Sequence, residues 1–373
     1  MKQLIIMLDE FFEETQKYYY FFDALFKRKG GNKANALHAV GISDSSYRTE
    51  RLKKNVNNEN IPILLKYFDY QNISIDKKNS YEICLSKIYH SGFYRQTEEL
   101  KILLTELEEY ILDNNYLKPL FLLFKAYAYM HFDTRFSERK QLLIEDLEYI
   151  EYFTNDYFTK ELRVIHQCVL LYYNMNYNLN KLESDILKYP NIRWLYYNTR
   201  GNRAYFEKND LEAILYYQEA LKEFQRAYNI ERSLLTIANI SLIYNTLGKY
   251  LFSLERLEDA VTYVHSSKNE LWIKGITQHY LFSNYMLKRY KEILRFYEII
   301  IFKPESLISV SAVICILAAY KLNCLDKAEE IIICHKDDYN VKIVLNYINK
   351  NERNILSNLE KNPYISEIVK TLR

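Results

Sequence analysis

Residues 194–220 read WLYYNTRGNRAYFEKNDLEAILYYQEA. Tyr197, Gly201 and Ala204-Tyr205 recur at helical spacing, and beyond a short polar turn so do Ala213, Tyr217 and Ala220. Two such segments joined by a tight turn make a helical hairpin. The next stretch repeats the pattern with Ile237, Ile240, Tyr244, Gly248, Tyr250, Ser253, Leu257 and Ala260. A third ends Tyr290, Ile293, Tyr297, Ile300, and a fourth ends Leu325, Ala328, Ile332. The marker in each second helix falls at positions 213, 253, 293 and 328, so the steps are 40, 40 and 35 residues. A hairpin of this length cannot bury its apolar face alone, so several must stack, and stacking makes an extended groove. Such a groove binds partners and rarely does chemistry.

Hairpins continue upstream. Tyr81–Tyr89 with Arg95–Leu112, broken at Gly92, make one pair; Leu117–Phe132 with Glu138–Phe153 make the next. Phe158–Met175 with Leu179–Lys188, closed by Pro190, make a third. Beyond Asp337-Asp338, two helices at about 339–349 and 351–371, with Asn362-Pro363 as a late break, read as a polar cap over the last apolar face. At the other end, residues 3–28 carry Leu4, Leu8, Phe11-Phe12, Tyr18-Tyr19, Phe22 and Leu25-Phe26 at a helical period, stopped by Gly30-Gly31. Short helices are expected from Asn32 to Val40 and from Ser43 to about Lys54, then an amphipathic one from Ile61 to Tyr70. Asn72 to Asn79, short and polar, is the expected linker. The reading is an all-α chain with a head at residues 1–75 and a repeat domain at 76–373.

Composition supports this. The 373 residues include only 7 Gly and 5 Pro, too few for an all-β or Rossmann chain. Net charge is +2, so no global field draws the chain to nucleic acid or membrane. Five cysteines without a CxxC pair point to reduced thiols and a cytoplasmic chain. The apolar start is cut short by Asp9, Glu10, Glu13 and Glu14, unlike a signal peptide. The apolar run from Leu307 to Tyr320 is shorter than a span of about 20 residues and reads as a buried repeat helix. The 37 tyrosines read as packing residues with a polar tip.

Charge is uneven. Residues 24–56 hold Lys27, Arg28, Lys29, Lys33, Arg48, Arg51, Lys53 and Lys54 against Asp44 and Glu50, a local +6 that leaves the remaining chain at −4. A basic head on a mildly acidic body is the electrostatic footprint of duplex binding. Within that head, residues 32–51 resemble a Cro/repressor-type helix-turn-helix. Gly41 sits at the tight turn, Ala36, Val40, Ile42 and Tyr47 pack the two helices, and Gly41-Ile42-Ser43 with Ser45 opens the recognition helix. The resemblance implies that Ser43, Ser45, Arg48, Thr49 and Arg51 reach the major groove and that Lys33, Lys53 and Lys54 touch phosphate.

The hairpins resemble the tetratricopeptide repeat, on Tyr197, Gly201, Ala213, Tyr217 and Ala220. In that family the first helix of each unit lines the concave face. By that register Gln167, Leu171 and Asn174 face inward, then Asn198, Asn202 and Tyr205, then Leu242 and Asn245, then Gln278, Phe282 and Tyr285. Amides offer the donor and acceptor that an extended peptide backbone needs.

A helix-turn-helix head before tetratricopeptide-like repeats resembles the peptide-pheromone-responsive regulators of the Rgg, PlcR and PrgX type and the phage arbitrium receptors. The resemblance implies a cytoplasmic, homodimeric quorum-sensing transcription regulator whose DNA operator binding is switched by a short signalling peptide. An alternative resemblance, to the Rap-type adaptors, implies a protein partner such as a response regulator and no DNA binding. Enzyme chemistry is not expected. The seven histidines are scattered without ligand spacing, no phosphate loop or nucleophile elbow is present, and Cys168 near His166 reads as core. No cofactor, metal or membrane contact is expected.

Overall fold

The computed structural model describes residues 16–30, 33–54, 56–132, 136–153, 157–173, 184, 186, 188–264, 270–298, 307–350 and 363–372. Among them the chain is all-helical, with 19 α-helices, one 3-10 turn at Pro190–Ile192 and a single isolated bridge, Gln71 to Asn115. It divides into two compact units, residues 1–207 and 208–373.

The first unit begins with α1 (Gln16–Lys29), α2 (Lys33–Ala39), α3 (Asp44–Lys53) and α4 (Asn60–Tyr67). It continues with α5 (Ile75–Tyr94), α6 (Thr97–Leu112), α7 (Lys118–Tyr129), α8 (Phe136–Glu151), α9 (Lys160–Tyr172) and α10 (Arg193–Phe206). Each helix of the α5–α8 run packs on its sequence neighbour, and α5, α7, α9 and α10 also pack on one another in that order. This is the hairpin ladder expected from the repeats. The second unit holds α11 (Asp210–Arg226), α12 (Ile230–Thr246), α13 (Tyr250–Val264), α14 (Glu270–Met286), α15 (Tyr290–Phe296), α16 (Ser309–Lys321), α17 (Leu325–Cys334), α18 (Tyr339–Lys350) and α19 (Pro363–Leu372). Here α12, α14, α16 and α18 form one series, each touching the next, while α13, α15 and α17 pack beside them.

A recurring turn explains how so few glycines suffice. Lys208, Tyr228, Gly248, Lys288 and Asn323 each adopt φ between 52° and 70° just after a helix. In four of these turns the next amide bonds back to a carbonyl of the last helical turn: Asn229 to Phe224 (2.9 Å), Lys249 to Tyr244 (2.8 Å), Arg289 to Asn284 (2.8 Å) and Cys324 to Ala319 (2.9 Å). This closure satisfies carbonyls that would otherwise be orphaned. Asn209 and Asn229 then cap the following helices, accepting from the amides of Glu212 and Arg232. The 20-residue spacing of positions 208, 228 and 248 is one helix plus its turn.

Two expectations change. Residues 75–79 are not linker: Ser74 accepts from the Lys77 amide, and a 20-residue α5 starts there. Gly92 does not break that helix. It lies inside α5, where a Cβ would come within 2.7 Å of both Tyr127 and His131, so glycine allows α5 to approach α7 closely. The last helix buries Tyr364, Ile365, Ile368 and Val369 and leaves Ser366 and Lys370 exposed. Leu4, Leu8 and Phe11-Phe12 in the first helix, Leu179–Lys188 for most of its length, and residues 351–362 lie outside the described residues. The apolar helix α16 is buried from Val310 to Ala319 as a repeat helix, and no helix among the described residues is long and apolar enough to cross a membrane.

Gly92→Ala should destabilise the chain by about 1–3 kcal/mol, because the fully buried Tyr127 has nowhere to retreat. Gly275→Ala, within α14 and with no atom within 4 Å of its added Cβ, should instead be neutral or stabilising by up to about 1 kcal/mol. Urea unfolding of the two variants checks the contrast; equal effects would contradict the close approach at Gly92.

Candidate functional site

In the head, α2 and α3 are joined by a turn at Gly41, which takes φ +80°. A Cβ added there would meet no atom within 4 Å, so backbone conformation rather than space selects glycine. The Ile42 amide returns to the Leu37 carbonyl at 3.0 Å, and Leu37 and Ile42 are buried. Ser43 caps α3, accepting from the Ser46 amide at 3.2 Å, with its hydroxyl 3.1 Å from that of Ser45. Glu50, 6 % exposed, faces the opposite way: one carboxylate oxygen accepts from the Asn57 amide and from Asn60 Nδ2, both at 2.8 Å. That link fixes how α3 rolls on its long axis.

With Glu50 inward, Ser45, Arg48 and Thr49 are exposed, and Lys53 and Lys54 follow at the end of the helix. Thr49 donates back to the Ser45 carbonyl at 3.0 Å. Leu52, 81 % exposed, lies one turn beyond Arg48 and Thr49. In the sequence it looks like an ordinary apolar helix position, and nothing local marks its exposure. The Arg51 and Tyr47 side chains lie outside what is described.

The head's charges divide into two groups. Lys33 pairs with Asp23 at 2.5 Å and leans over the Tyr19 and Phe26 rings, so the expected phosphate contact is a bond between α2 and α1. Lys27 shares the same carboxylate at 2.8 Å. Asp23 is held below the usual carboxylate range: burial opposes its charge, but the hydrogen bonds and charges of Lys27 and Lys33 together outweigh it. Arg28 lies over the Tyr149 ring at 4.6 Å and Lys29 over Tyr67 at 4.2 Å. Arg48, Lys53 and Lys54, on α3 or at its end, are exposed.

The expected peptide-binding residues also divide. On α10, Asn198, Asn202 and Tyr205 are half-buried at spacings of four and three, which place them on one helix face. Gln167 on α9 is half-buried, Leu171 is fully buried in the core, and Asn174 lies outside the described residues. In the second unit Leu242 and Gln278 are half-buried, but Asn245, Phe282 and Tyr285 are not open groove residues. Asn245 Oδ1 accepts from the Ser283 hydroxyl at 2.8 Å, and that hydroxyl lies 3.1 Å from Ser253, a buried polar link joining α12, α13 and α14. Phe282 is wholly covered, its ring 4.2 Å from that of Tyr364 in α19. Tyr285 is 3 % exposed and accepts from Thr371 of α19 at 3.5 Å. Periodicity placed these residues on the inner face; it could not show that another part of the chain covers that face.

No family model, curated protein or solved structure matches the chain.

A separate cavity of about 540 Å³ opens at the α14–α15 turn, lined by Tyr280, Asn284, Lys288, Arg289 and Glu292 among others, and holds none of the expected binding residues. Among the described residues no cluster of His, Cys, Asp and Glu could hold a metal ion. Cys168 and His166 are both buried in α9, where desolvation pushes the thiol far up and holds the imidazole down to about 4. Neither carries charge near neutral pH, so they form no thiolate–imidazolium pair. Neither ring nitrogen of His166 meets a hydrogen-bonding partner among the described residues.

Because the folded state holds His166 near 4 while the unfolded chain titrates near 6.5, the unfolded state binds the extra proton. Stability should therefore fall as pH drops through that window, by about 2–3 kcal/mol between pH 7 and 4.5 from this group. Urea unfolding of His166→Phe should show a shallower decline, and a decline as steep as the parent's would contradict the assignment.

Proposed function

We propose that this chain is a DNA-binding regulator: α2 and α3 form a helix-turn-helix head, and the inner helices of tetratricopeptide-like repeats take a short peptide that alters DNA binding. The observation that carries the DNA reading is the orientation of α3. Glu50 is tied inward, so Ser45, Arg48 and Thr49 face solvent as one stripe, extended by Leu52 and followed by Lys53 and Lys54. Hydroxyls and a guanidinium suit base edges in the major groove, and an exposed leucine suits a thymine methyl. Lysines at the helix end suit phosphate. Lys33 leaves the proposed contact set because Asp23 holds it.

The peptide reading rests on α10, where the amides of Asn198 and Asn202 share a face with Tyr205. Such a row suits a peptide backbone with pockets for alternate side chains. A dimer with paired half-sites follows from the resemblance alone. In the rival adaptor reading, the same exposed stripe would meet a protein.

Arg48→Ala should weaken retention on a duplex taken from upstream of the gene by about 10–100-fold and flatten the preference over scrambled DNA. Lys53→Ala with Lys54→Ala should weaken both duplexes alike and lower the salt slope by about 2. Fluorescence anisotropy at several salt concentrations checks both. Variants that bind as the parent does would remove α3 from the interface.

A further inference from the structure

Helix α19 lies on the face that the repeat register assigns to a ligand. The Tyr364 ring packs tilted against Phe282 of α14, centroids 4.2 Å apart, and its hydroxyl is 2.5 Å from His279 Nδ1. Burial holds the His279 imidazole down to about 4, so the ring is neutral at pH 7 and shares one hydrogen bond with the phenol through Nδ1. Thr371 donates to the Tyr285 hydroxyl at 3.5 Å, and the Tyr347 hydroxyl of α18 donates to the Leu372 carbonyl at 2.9 Å. The apolar stripe Tyr364, Ile365, Ile368 and Val369 is buried, while Ser366 and Lys370 face outward. The receiving residues on α14, His279, Phe282 and Tyr285, are three residues apart along one face of the helix.

How α19 is held matters. α19 meets α14 and α18 through the Tyr364–Phe282 ring contact and the hydroxyls of Tyr364, Thr371 and Tyr347, with Ile365, Ile368 and Val369 buried in the same core. Its attachment is that of a docked amphipathic peptide, with anchors at one-turn spacing, a phenol in a polar notch and a main-chain carbonyl met by a tyrosine.

We propose that α19 is a built-in occupant of a peptide site on α14 and α18, so that a peptide ligand and α19 exclude each other. The ligand this site takes is a short amphipathic segment carrying an aromatic–aliphatic stripe at the spacing of Tyr364, Ile365, Ile368 and Val369. The inference rests on the peptide-binding reading above only in taking a peptide as ligand, and places a separate site, apart from the α10 row, on α14 and α18. A site filled from within binds added peptide only in the fraction of molecules where it stands open, so weakening the internal occupant raises apparent affinity.

The probe is a labelled synthetic peptide of residues 363–372, titrated by anisotropy into the full-length chain. The parent should bind it weakly. Full-length Tyr364→Ala with Ile368→Ala should bind it at least about tenfold more tightly, and adding Phe282→Ala should abolish that gain. If the double variant loses its helical circular dichroism, Tyr364→Phe, which removes only the hydroxyl bond to His279, is titrated instead and should gain a few-fold. Absence of a gain in any folded variant, or a gain that survives Phe282→Ala, overturns the proposal. DNA retention measured on the same samples is independent: its loss with the peptide gain intact defeats the regulator reading and leaves this site standing.

Discussion

Everything in the first unit depends on where α1 puts its aromatic residues. Phe21 and Phe22 are fully buried, and Phe21 packs within 5.0–5.9 Å of Tyr70, Phe153 and Tyr157. Phe22 and Phe26 hold Phe68 beyond α4. Tyr18 rests on Tyr116 at 4.4 Å, and the Tyr70 and Tyr149 hydroxyls meet at 2.6 Å. The Tyr157 hydroxyl donates to the Tyr116 carbonyl at 2.5 Å. Rings of this size supply most of a core's apolar burial, and losing one such phenylalanine typically costs about 3–5 kcal/mol. The core around α1 is therefore continuous with the segments around residues 116 and 149–157.

That arrangement also accounts for the charges. Arg28 and Lys29, though exposed, lie over the Tyr149 and Tyr67 rings, and Lys33 is taken by Asp23. The local +6 read from residues 24–56 is thus partly structural. The exposed basic residues lie in two places, Lys27, Arg28 and Lys29 at the end of α1 and Arg48, Lys53 and Lys54 on or just after α3.

The repeats were legible from the sequence because helical period and turn spacing are local properties. Markers 213, 253, 293 and 328 fall on helices α11, α13, α15 and α17. The turn chemistry was less visible, because Lys208, Tyr228 and Lys288 take left-handed conformations usually marked by glycine. Gly92 misled for the converse reason: its role is contact with Tyr127 and His131, far along the chain. Contacts of this kind also hid the fate of Lys33, Asn245, Phe282 and Tyr285, whose exposure is decided by Asp23, Ser283 and α19 rather than by their own helices. In the last helix, the outward polar residues Ser366 and Lys370 alternate with a buried stripe, the pattern a covering helix needs.

The central claim is that α3 meets a duplex, and the salt dependence of the unmodified chain tests it most directly. Retention on DNA from upstream of the gene should be strong at low salt and fall by about a hundredfold between roughly 50 and 200 mM, while exceeding retention on scrambled DNA of equal length. Absence of retention at low salt, or retention indifferent to salt, would contradict the account.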